Sequence, residues 1–257
     1  MNGNATALSD VLVPGVLRNF ELAPAELIEA RALQRRVDRK YLLAANGLEA
    51  LIVRLCPDFC LLRAGQQVWA RYESVYFDTL DRALFHAHRR GLRPRCKVRV
   101  RHHLDRELTF LEIKRKERSG RTVKDRLALP FGQVALGPRE LTFIEAHAPL
   151  DSDCLLPRLS ISFRRLTLLG RDINERVTID RDFMVKAGTH SEQLDRIVIA
   201  EVKQPRFVNH VGAVAALRSI NAFEEALSKY CLGTILVAPV CANVFKPAMR
   251  AVERLSA

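Results

Sequence analysis

The stretch "CKVRVRHH", residues 96–103, alternates cationic and apolar side chains. A period of two is typical of a β-strand, because successive side chains of a strand point to opposite faces of the sheet. Lys97, Arg99 and Arg101 then share one face, and two valines share the other. Cations spaced about 7 Å apart along one face repel one another. The strand therefore needs a partner opposite its basic face, either solvent or an anion.

The same alternation recurs along the chain. It is present in "RVDRK" (36–40), "FLEIKRK" (110–116), "TVKDRLA" (122–128), "ERVTID" (175–180) and "IVIAEVK" (197–203). In a single strand this pattern is that of an ordinary half-exposed sheet. Its recurrence in at least six strands instead predicts apolar faces packed under helices and charged faces lining an interior. An interior rich in lysine and arginine folds only if it is wet and receives an anion.

The order of these strands predicts the fold class. Turn sequences such as "RSGR" (118–121) separate consecutive strands, which favours an antiparallel sheet, and closure of the sheet would remove its exposed edges. We expect an α+β fold, a closed antiparallel β-barrel with helices packed outside. The helices are predicted at 23–36, from 46 to an end at Pro57, at 80–91 and at 213–230. The chain is expected to form one domain (1–257), with a core from about 33 to 237, a loose lead-in (1–20) and a C-terminal tail (238–257).

The composition limits the class of ligand. The 257 residues include 41 lysines and arginines against 29 aspartates and glutamates, a formal net charge of +12. Such a surplus attracts nucleic acid, an acidic membrane surface or phosphorylated small molecules. Binders of single-stranded nucleic acid use aromatic stacking platforms. Aromatic residues make up only 7% here, and most tyrosines are expected outside the charged faces, so no specific nucleic acid is predicted.

The location of the protein is predicted from what its sequence lacks. The N-terminal residues have no basic region of the kind that begins a signal peptide, and no stretch is apolar for long enough to span a membrane. The six cysteines show no CxxC pair and no zinc-type spacing, and a chain of this size is not expected to carry a disulfide framework, which indicates reduced thiols. We expect a cytoplasmic protein that could associate with the inner face of a membrane.

Nine short motifs, taken in order, resemble one known family. They are "RKYLL", "SVYFDT", "KVRVR", "FLEIKRK", "VKDR", "SFRRLTL", "RVTID", "AEVK" and "SKYCLG". Together they resemble the VTC domain, the polyphosphate polymerase branch of the triphosphate tunnel metalloenzymes in the CYTH-like superfamily. The resemblance implies a tunnel that binds ATP or another triphosphate with Mn²⁺ or Mg²⁺, transfers the γ-phosphate and extends polyphosphate. If polyphosphate is exported, a separate membrane protein is an expected partner.

The resemblance also implies the site residues. The family's phosphate-binding cations correspond to Lys40, Arg99, Arg101, Lys114, Lys124, Arg126, Arg165, Arg176 and Lys229. Those expected to act in catalysis are Lys40, Arg99, Arg101, Lys114, Arg165, Arg176 and Lys229. Lys97 and Lys203 are further candidates for the lining. Glu201 matches the metal-binding glutamate, and Glu112 matches a second carboxylate. Arg164 and Arg165 are adjacent, so only one can face inward, and the spacing from Phe163 favours Arg165.

The sequence departs from the wider superfamily at the first strand, where Asp38 precedes Lys40 in place of a two-glutamate pattern. This weakens the expectation of a metal site there. The histidines at 86, 88, 102 and 103 fit an exposed helix and a strand end better than a metal site. Tyr76 and Asp78 are expected to be structural, and "HRRGLRPR" (88–95) is expected to be a basic loop at the tunnel mouth.

Three functions remain open at this point. The first is a polymerase that transfers phosphate to a phosphate chain. The second is a triphosphatase that transfers it to water, and the third is a non-catalytic binder of polyphosphate or another polyanion. In the first two, positioned cations would stabilise the charge that spreads over the phosphate oxygens in the transition state.

Overall fold

A computed structural model of the protein describes residues 15–32, 36–226 and 228–256. The strands are β1 (Val37–Ala44), β2 (Phe59–Leu62), β3 (Ala70–Asp78), β4 (Arg95–His103), β5 (Leu108–Lys116), β6 (Thr122–Leu129), β7 (Leu156–Gly170), β8 (Arg176–Ala187), β9 (His190–Leu194), β10 (Ile197–Gln204) and β11 (Phe223–Glu224). The helices are α1 (Ala25–Ala30), α2 (Leu48–Leu55), α3 (Ala83–Arg89), α4 (Pro138–His147), α5 (Gly212–Ser219), α6 (Lys229–Val237) and α7 (Lys246–Ser256).

All the strands join in one antiparallel sheet. Its order is β11–β1–β10–β8–β7–β3–β4–β5–β6, and β2 and β9 add to β7 and β8 respectively. Within the described ranges, β6 makes no hydrogen-bonded ladder with β1 or β11. The antiparallel α+β class is therefore confirmed, but a barrel closed by hydrogen bonds is not.

The convex face of the sheet is apolar, as the alternation predicts. Val177, Ile179 and Ala200 pack against α2 and α5 in one buried cluster. Val98 and Ile113 pack in a second cluster with α4. Burial of a side chain of this size stabilises a fold by roughly 1.5–3 kcal/mol. Because the apolar side chains are used on the convex face, the alternate residues of the same strands face the concave side.

Helices α6 and α7 cover one part of the concave side. Tyr230 and Leu232 of α6 and Ala251 of α7 pack on Ile161 and Ile199 of the sheet. The side chain of Ser228 caps α6 by accepting a hydrogen bond from the backbone N–H of Cys231. The two helices fill one end of the concave surface and leave the rest as a cleft.

Several segments differ from expectation. The helix predicted at 213–230 is interrupted after Ser219, because Asn221 has a φ of +56° and the next residues pair with β1 as β11. The predicted tail contains α7, whose Ala248 and Val252 are buried. Of the predicted lead-in, residues 1–14 lie outside the described ranges, whereas Leu17 is buried in the core.

The helix expected at 23–36 covers only Ala25–Ala30, and residues 33–35 lie outside the described ranges. All six cysteines are free thiols. Within the part of the chain that the structure describes, every helix is too short or too polar to cross a bilayer.

Candidate functional site

The concave face brings together the side chains that the sequence singles out. The strand registers place on this face Lys40, Lys97, Arg99, Arg101, Glu112, Lys114, Lys124, Arg126, Arg165, Arg176, Glu201 and Lys203, and Lys229 of α6 joins them through Asp180. The pairs Arg99–Glu112 and Lys40–Glu201 are direct cross-strand neighbours. We call the surface formed by these thirteen residues the basic cleft.

Glu112 lies at the centre of one group of cations. One of its oxygens accepts from Nε and Nη2 of Arg99, at 2.8 and 2.5 Å, and the other accepts from Lys124. Nε of Arg101 lies 3.9 Å away. Burial alone would raise the pKa of Glu112, but the charges of Arg99, Arg101 and Lys124 hold that pKa well below its usual range. Glu112 therefore stays ionised and orients the three cations around it.

Asp180 organises a second group on the other wall of the cleft. Arg165 binds it in the bidentate manner, with Nε at 2.6 Å from one oxygen and Nη2 at 2.7 Å from the other. Nζ of Lys229 lies 2.6 Å from the same carboxylate. Burial favours a higher pKa for Asp180, but the charges of Arg165 and Lys229 lower it to about 2. The sequence alone did not assign Asp180 to the site.

The two adjacent arginines of β7 face opposite ways. The side chain of Arg165 is 16% exposed and lies in the cleft, whereas that of Arg164 is 54% exposed and lies 3.6 Å from Asp182. Arg165 is therefore the member of the pair that can contact a ligand in the cleft.

Glu201 still has an oxygen that could bind another cation. Its carboxylate forms an ion pair with Lys203 at 3.1 Å, through its other oxygen. Burial would raise the pKa of Glu201, but Lys203, Lys40, Arg165 and Lys229 lower it well below its usual range. The carboxylate is therefore ionised and can accept a further cation.

The resemblance implies a bound Mn²⁺ or Mg²⁺, which would need carboxylate ligands in the cleft. No group of three or more acidic, histidine or cysteine side chains suited to a metal occurs among the described residues. Mg²⁺ often takes only one or two protein carboxylates and completes its shell with phosphate oxygens and water. Glu201 fits that requirement. Glu112 fits it poorly, because both of its oxygens already accept from cations.

Several cations of the cleft have no carboxylate partner. Lys40, Lys97, Lys114 and Arg176 form no ion pair within the ranges that the structure describes. Burial lowers the pKa of Lys97 to about 7, and the charges of Lys114, Lys40 and Arg99 contribute to that shift. Burial and then the charge of Lys40 lower the pKa of Lys114, although Lys40 lies on β1 and Lys114 on β5. These unpaired charges favour a bound anion.

The expectation that most tyrosines lie outside the charged faces is wrong for β3. Tyr72, Ser74 and Tyr76 all face the cleft, at the period of two that their strand requires. The hydroxyl oxygen of Tyr76 accepts from Nη1 of Arg99 at 3.0 Å, and Nε of Arg101 donates to Ser74 at 3.1 Å. The alternation in "YESVY" (72–76) was the signal that could have identified them.

Asp78 anchors the helices next to the cleft. Its carboxylate accepts from the backbone N–H groups of Leu84 and Phe85, both at 2.9 Å, and from the hydroxyl of Tyr230. It therefore fixes the first turn of α3 and the first turn of α6. This contact is structural, as the sequence predicts for Asp78, whereas Tyr76 touches a cation of the site.

The histidines form no metal centre with one another in the described structure. His102 lies on the convex face, where its Nδ1 is 2.8 Å from the hydroxyl of Thr109. His103, the last residue of β4, faces the cleft and contacts the ring of Tyr72. Of the stretch predicted as a basic loop (88–95), residues 90–94 form an exposed loop, whereas 88–89 end α3 and Arg95 begins β4.

Three solved structures are similar to this chain in fold. A putative adenylate cyclase from Bacillus halodurans shares 14% identity over 76% of this chain and 94% of its own, with a TM-score of 0.48. A putative adenylyl cyclase from Hippeastrum, described as having a dominant triphosphatase activity, shares 13% identity over 79% and 98%, with a TM-score of 0.49. A putative adenylate cyclase from Vibrio parahaemolyticus shares 12% identity over 77% of this chain and 96% of its own, with a TM-score of 0.47.

These likenesses are too distant to bear on activity, and no curated protein matches the chain. The match to a family model is more extensive. The model of the VTC domain matches residues 35–238, which include every strand of the sheet and the whole basic cleft. The chain therefore belongs to the VTC domain family.

Proposed function

We propose that the basic cleft binds ATP and transfers its terminal phosphoryl group to a phosphate chain, so that the protein synthesises polyphosphate. The observation that carries this proposal is that Lys40, Lys97, Lys114 and Arg176 form no ion pair with any described residue. A concave row of like charges is unfavourable without a ligand, and a chain of phosphates supplies negative charge along its whole length. Glu112 and Asp180 are each bound by two or more cations, and Glu201 is the one carboxylate of the basic cleft that could offset part of this excess.

The arginines and the lysines of the cleft would have different roles. Arg99 and Arg165 are held rigidly by Glu112 and Asp180, so their guanidinium groups are oriented before a ligand arrives. Such preorganised charges stabilise the phosphate oxygens in the transition state without further reorganisation. Lys97 and Lys114 act as compact charges on flexible stems, which suits a chain that advances through the cleft.

The state of the carboxylates favours a phosphate acceptor over water. Attack by water requires a base, and Glu112, Asp180 and Glu201 all have lowered pKa values that make them weak bases. Lys97, whose pKa is about 7 in the free protein, would regain its proton beside a bound triphosphate. A phosphate chain is already an anion and attacks without deprotonation.

Glu201 is the residue that would hold the divalent metal. When bound, Mn²⁺ or Mg²⁺ would neutralise phosphate charge and make the transferred phosphorus more electrophilic. Lys203 keeps the Glu201 carboxylate oriented through its ion pair at 3.1 Å. Glu112 is assigned instead to orienting Arg99 and Lys124.

Incubation of the protein with ATP and either Mn²⁺ or Mg²⁺ tests this function. The products are resolved on a gel that separates polyphosphate from orthophosphate. Chains that lengthen with time are the expected result. Orthophosphate alone would establish the triphosphatase instead, and tight triphosphate binding without turnover would establish the binder.

A further inference from the structure

Thr178 lies on the concave face of β8, next to Glu201. Its neighbours in the chain, Val177 and Ile179, are buried in the apolar cluster of the convex face, so the side chain of Thr178 points to the opposite face. In the register of β8 and β10, Thr178 is the direct cross-strand partner of Glu201. The Cβ atoms of such partners are about 4.5–5.5 Å apart, so the two side chains reach the same part of the cleft wall.

The hydroxyl of Thr178 is buried without a hydrogen-bond partner. The residue is only 3% exposed. Its Oγ1 is enclosed and has no donor or acceptor beside it among the residues that the structure describes. Most buried hydroxyl groups are hydrogen-bonded, and one that is not destabilises the fold. This hydroxyl is therefore available to a ligand of the cleft.

Glu201 supplies a second unpaired oxygen at the same place. One oxygen of its carboxylate pairs with Lys203 at 3.1 Å, and the other has no partner within the described ranges. Glu112 and Asp180 differ from it, because each is bound by two or more cations. Thr178 and Glu201 thus bring two unpaired oxygen atoms together on adjacent strands.

A divalent cation matches this pair of oxygens. Mg²⁺ prefers oxygen ligands and takes only one or two of them from the protein, and a threonine hydroxyl serves as such a ligand in other phosphoryl-transfer proteins. Lys40, the partner of Glu201 in β1, repels a metal ion that arrives alone. We therefore expect the ion to enter together with the triphosphate, whose negative charge offsets this repulsion.

We infer that the hydroxyl of Thr178 is the second protein ligand, beside Glu201, of the divalent metal bound with the triphosphate. This inference rests on the proposed function and adds to it a metal ligand that carries no charge. A neutral ligand preserves the positive potential of the basic cleft, whereas a second carboxylate would weaken its attraction for phosphates.

The test measures Mn²⁺ affinity apart from turnover. Protein saturated with β,γ-imido-ATP is titrated with Mn²⁺, and electron paramagnetic resonance counts the free ion. For Thr178→Val we expect the Mn²⁺ affinity to fall about tenfold, whereas Thr178→Ser, which keeps the hydroxyl, should stay within about twofold of wild type. Calorimetric binding of the same analogue in the presence of EDTA should be unchanged in both variants.

The stability of the free protein gives a second readout. Because Thr178→Val removes a buried hydroxyl that has no partner, its urea midpoint should equal or exceed that of wild type. Thr109→Val is the matched control, since the hydroxyl of Thr109 lies 2.8 Å from Nδ1 of His102 and accepts from the backbone N–H of Gly132 at 3.1 Å. That variant should have a lower midpoint and an unchanged Mn²⁺ affinity. Thr178→Ala replaces the valine variant if the latter does not fold.

Three results would overturn the inference. The first is an unchanged Mn²⁺ affinity in Thr178→Val. The second is weaker binding of the analogue without metal, which would place the hydroxyl on a phosphate. The third is a lower urea midpoint, which would show that the hydroxyl already has a partner in the free protein.

Failure of the proposed function would look different. If Glu201→Gln binds Mn²⁺ as tightly as wild type, the metal does not lie at Glu201, whatever Thr178 does. If the wild type binds no triphosphate analogue at all, the proposed function itself fails.

Discussion

Lys229 and Asp180 join helix α6 to the wall of the basic cleft, with Nζ of the lysine 2.6 Å from the carboxylate. The same carboxylate holds Arg165 through two hydrogen bonds. One buried acid, 1% exposed, therefore orients cations from a strand and from a helix that are more than 60 residues apart in the chain. Loss of its charge should affect both stability and activity.

Replacement of Asp180 by asparagine keeps the shape and removes the charge. Because it leaves two partly buried cations without a counter-ion, we expect a loss of roughly 3 kcal/mol in the free energy of unfolding at pH 7. The folded-state pKa of Asp180, about 2, lies below its ordinary value of 3.8, so its contribution is full above that ordinary value and is lost as the pH falls toward 2. Urea unfolding at pH 7 and pH 3 should show the difference between wild type and variant shrinking. A difference independent of pH would contradict the ion-pair role.

The adjacent arginines of β7 provide a matched pair of variants. Arg165→Gln removes a cation held in the cleft, and we expect the rate of phosphoryl transfer to fall about a hundredfold or more. Arg164→Gln removes an exposed cation from the same strand and should leave the rate within about twofold of wild type. The rate of phosphoryl transfer from ATP, measured at a saturating metal concentration, is compared for the two variants and the wild type. Equal losses would show that the net charge, and not the geometry, controls the reaction.

Binding of triphosphate should take up a proton through Lys97. In the free protein its pKa is about 7, and a bound polyanion favours the charged form and raises that pKa. With ATP at pH 8, where its γ-phosphate is deprotonated, we expect uptake of close to one proton, and affinity that weakens as the pH rises above about 7. Titration calorimetry in two buffers of different ionisation enthalpy measures this uptake.

The control for that experiment is Lys97→Arg, which keeps the charge and does not titrate in this range. It should bind triphosphate with no proton uptake from this position and with a flatter pH profile. If wild type and Lys97→Arg take up the same number of protons at pH 8, another group is responsible.

Glu201→Gln should separate metal use from phosphate binding. We expect metal-dependent turnover to fall steeply, while triphosphate binding without metal is unchanged or tighter because one negative charge is gone. Glu112→Gln is the comparison: it should weaken binding with and without metal, since Arg99 and Lys124 lose their anchor. A titration of activity with Mn²⁺ gives the result. Full metal-dependent activity of Glu201→Gln would refute the assignment.

The face of each strand was predictable from the sequence because the alternation of side chains in a strand is a local property. The same reasoning placed Lys114 and Arg176 on the concave side and chose Arg165 over Arg164. It could not show that Asp180 binds Lys229, since that contact depends on how α6 returns to the sheet. Tyr72 was missed because its strand shows no run of charge, although it follows the same period.

Features that depend on contacts between distant parts of the chain could not be predicted from the sequence. The break between α5 and α6 depends on pairing of Phe223 with Leu42 and on the ion pair of Glu224 with Arg39, both distant in sequence. Helix-forming residues continue through this segment, so local propensity favoured one helix and tertiary contacts overrode it. Whether the sheet closes is likewise decided between β6 and the β11–β1 edge, at opposite ends of the strand order.

That seam has a consequence for the handling of a polymer. Parting the sheet between β1 and β6 breaks no backbone ladder in the described structure, whereas parting it along any line between paired strands breaks several hydrogen bonds. A continuous ring admits a long chain only by its end. Under the proposed function, a wall that parts along one line would take up or release the middle of a phosphate chain whose two ends are far away.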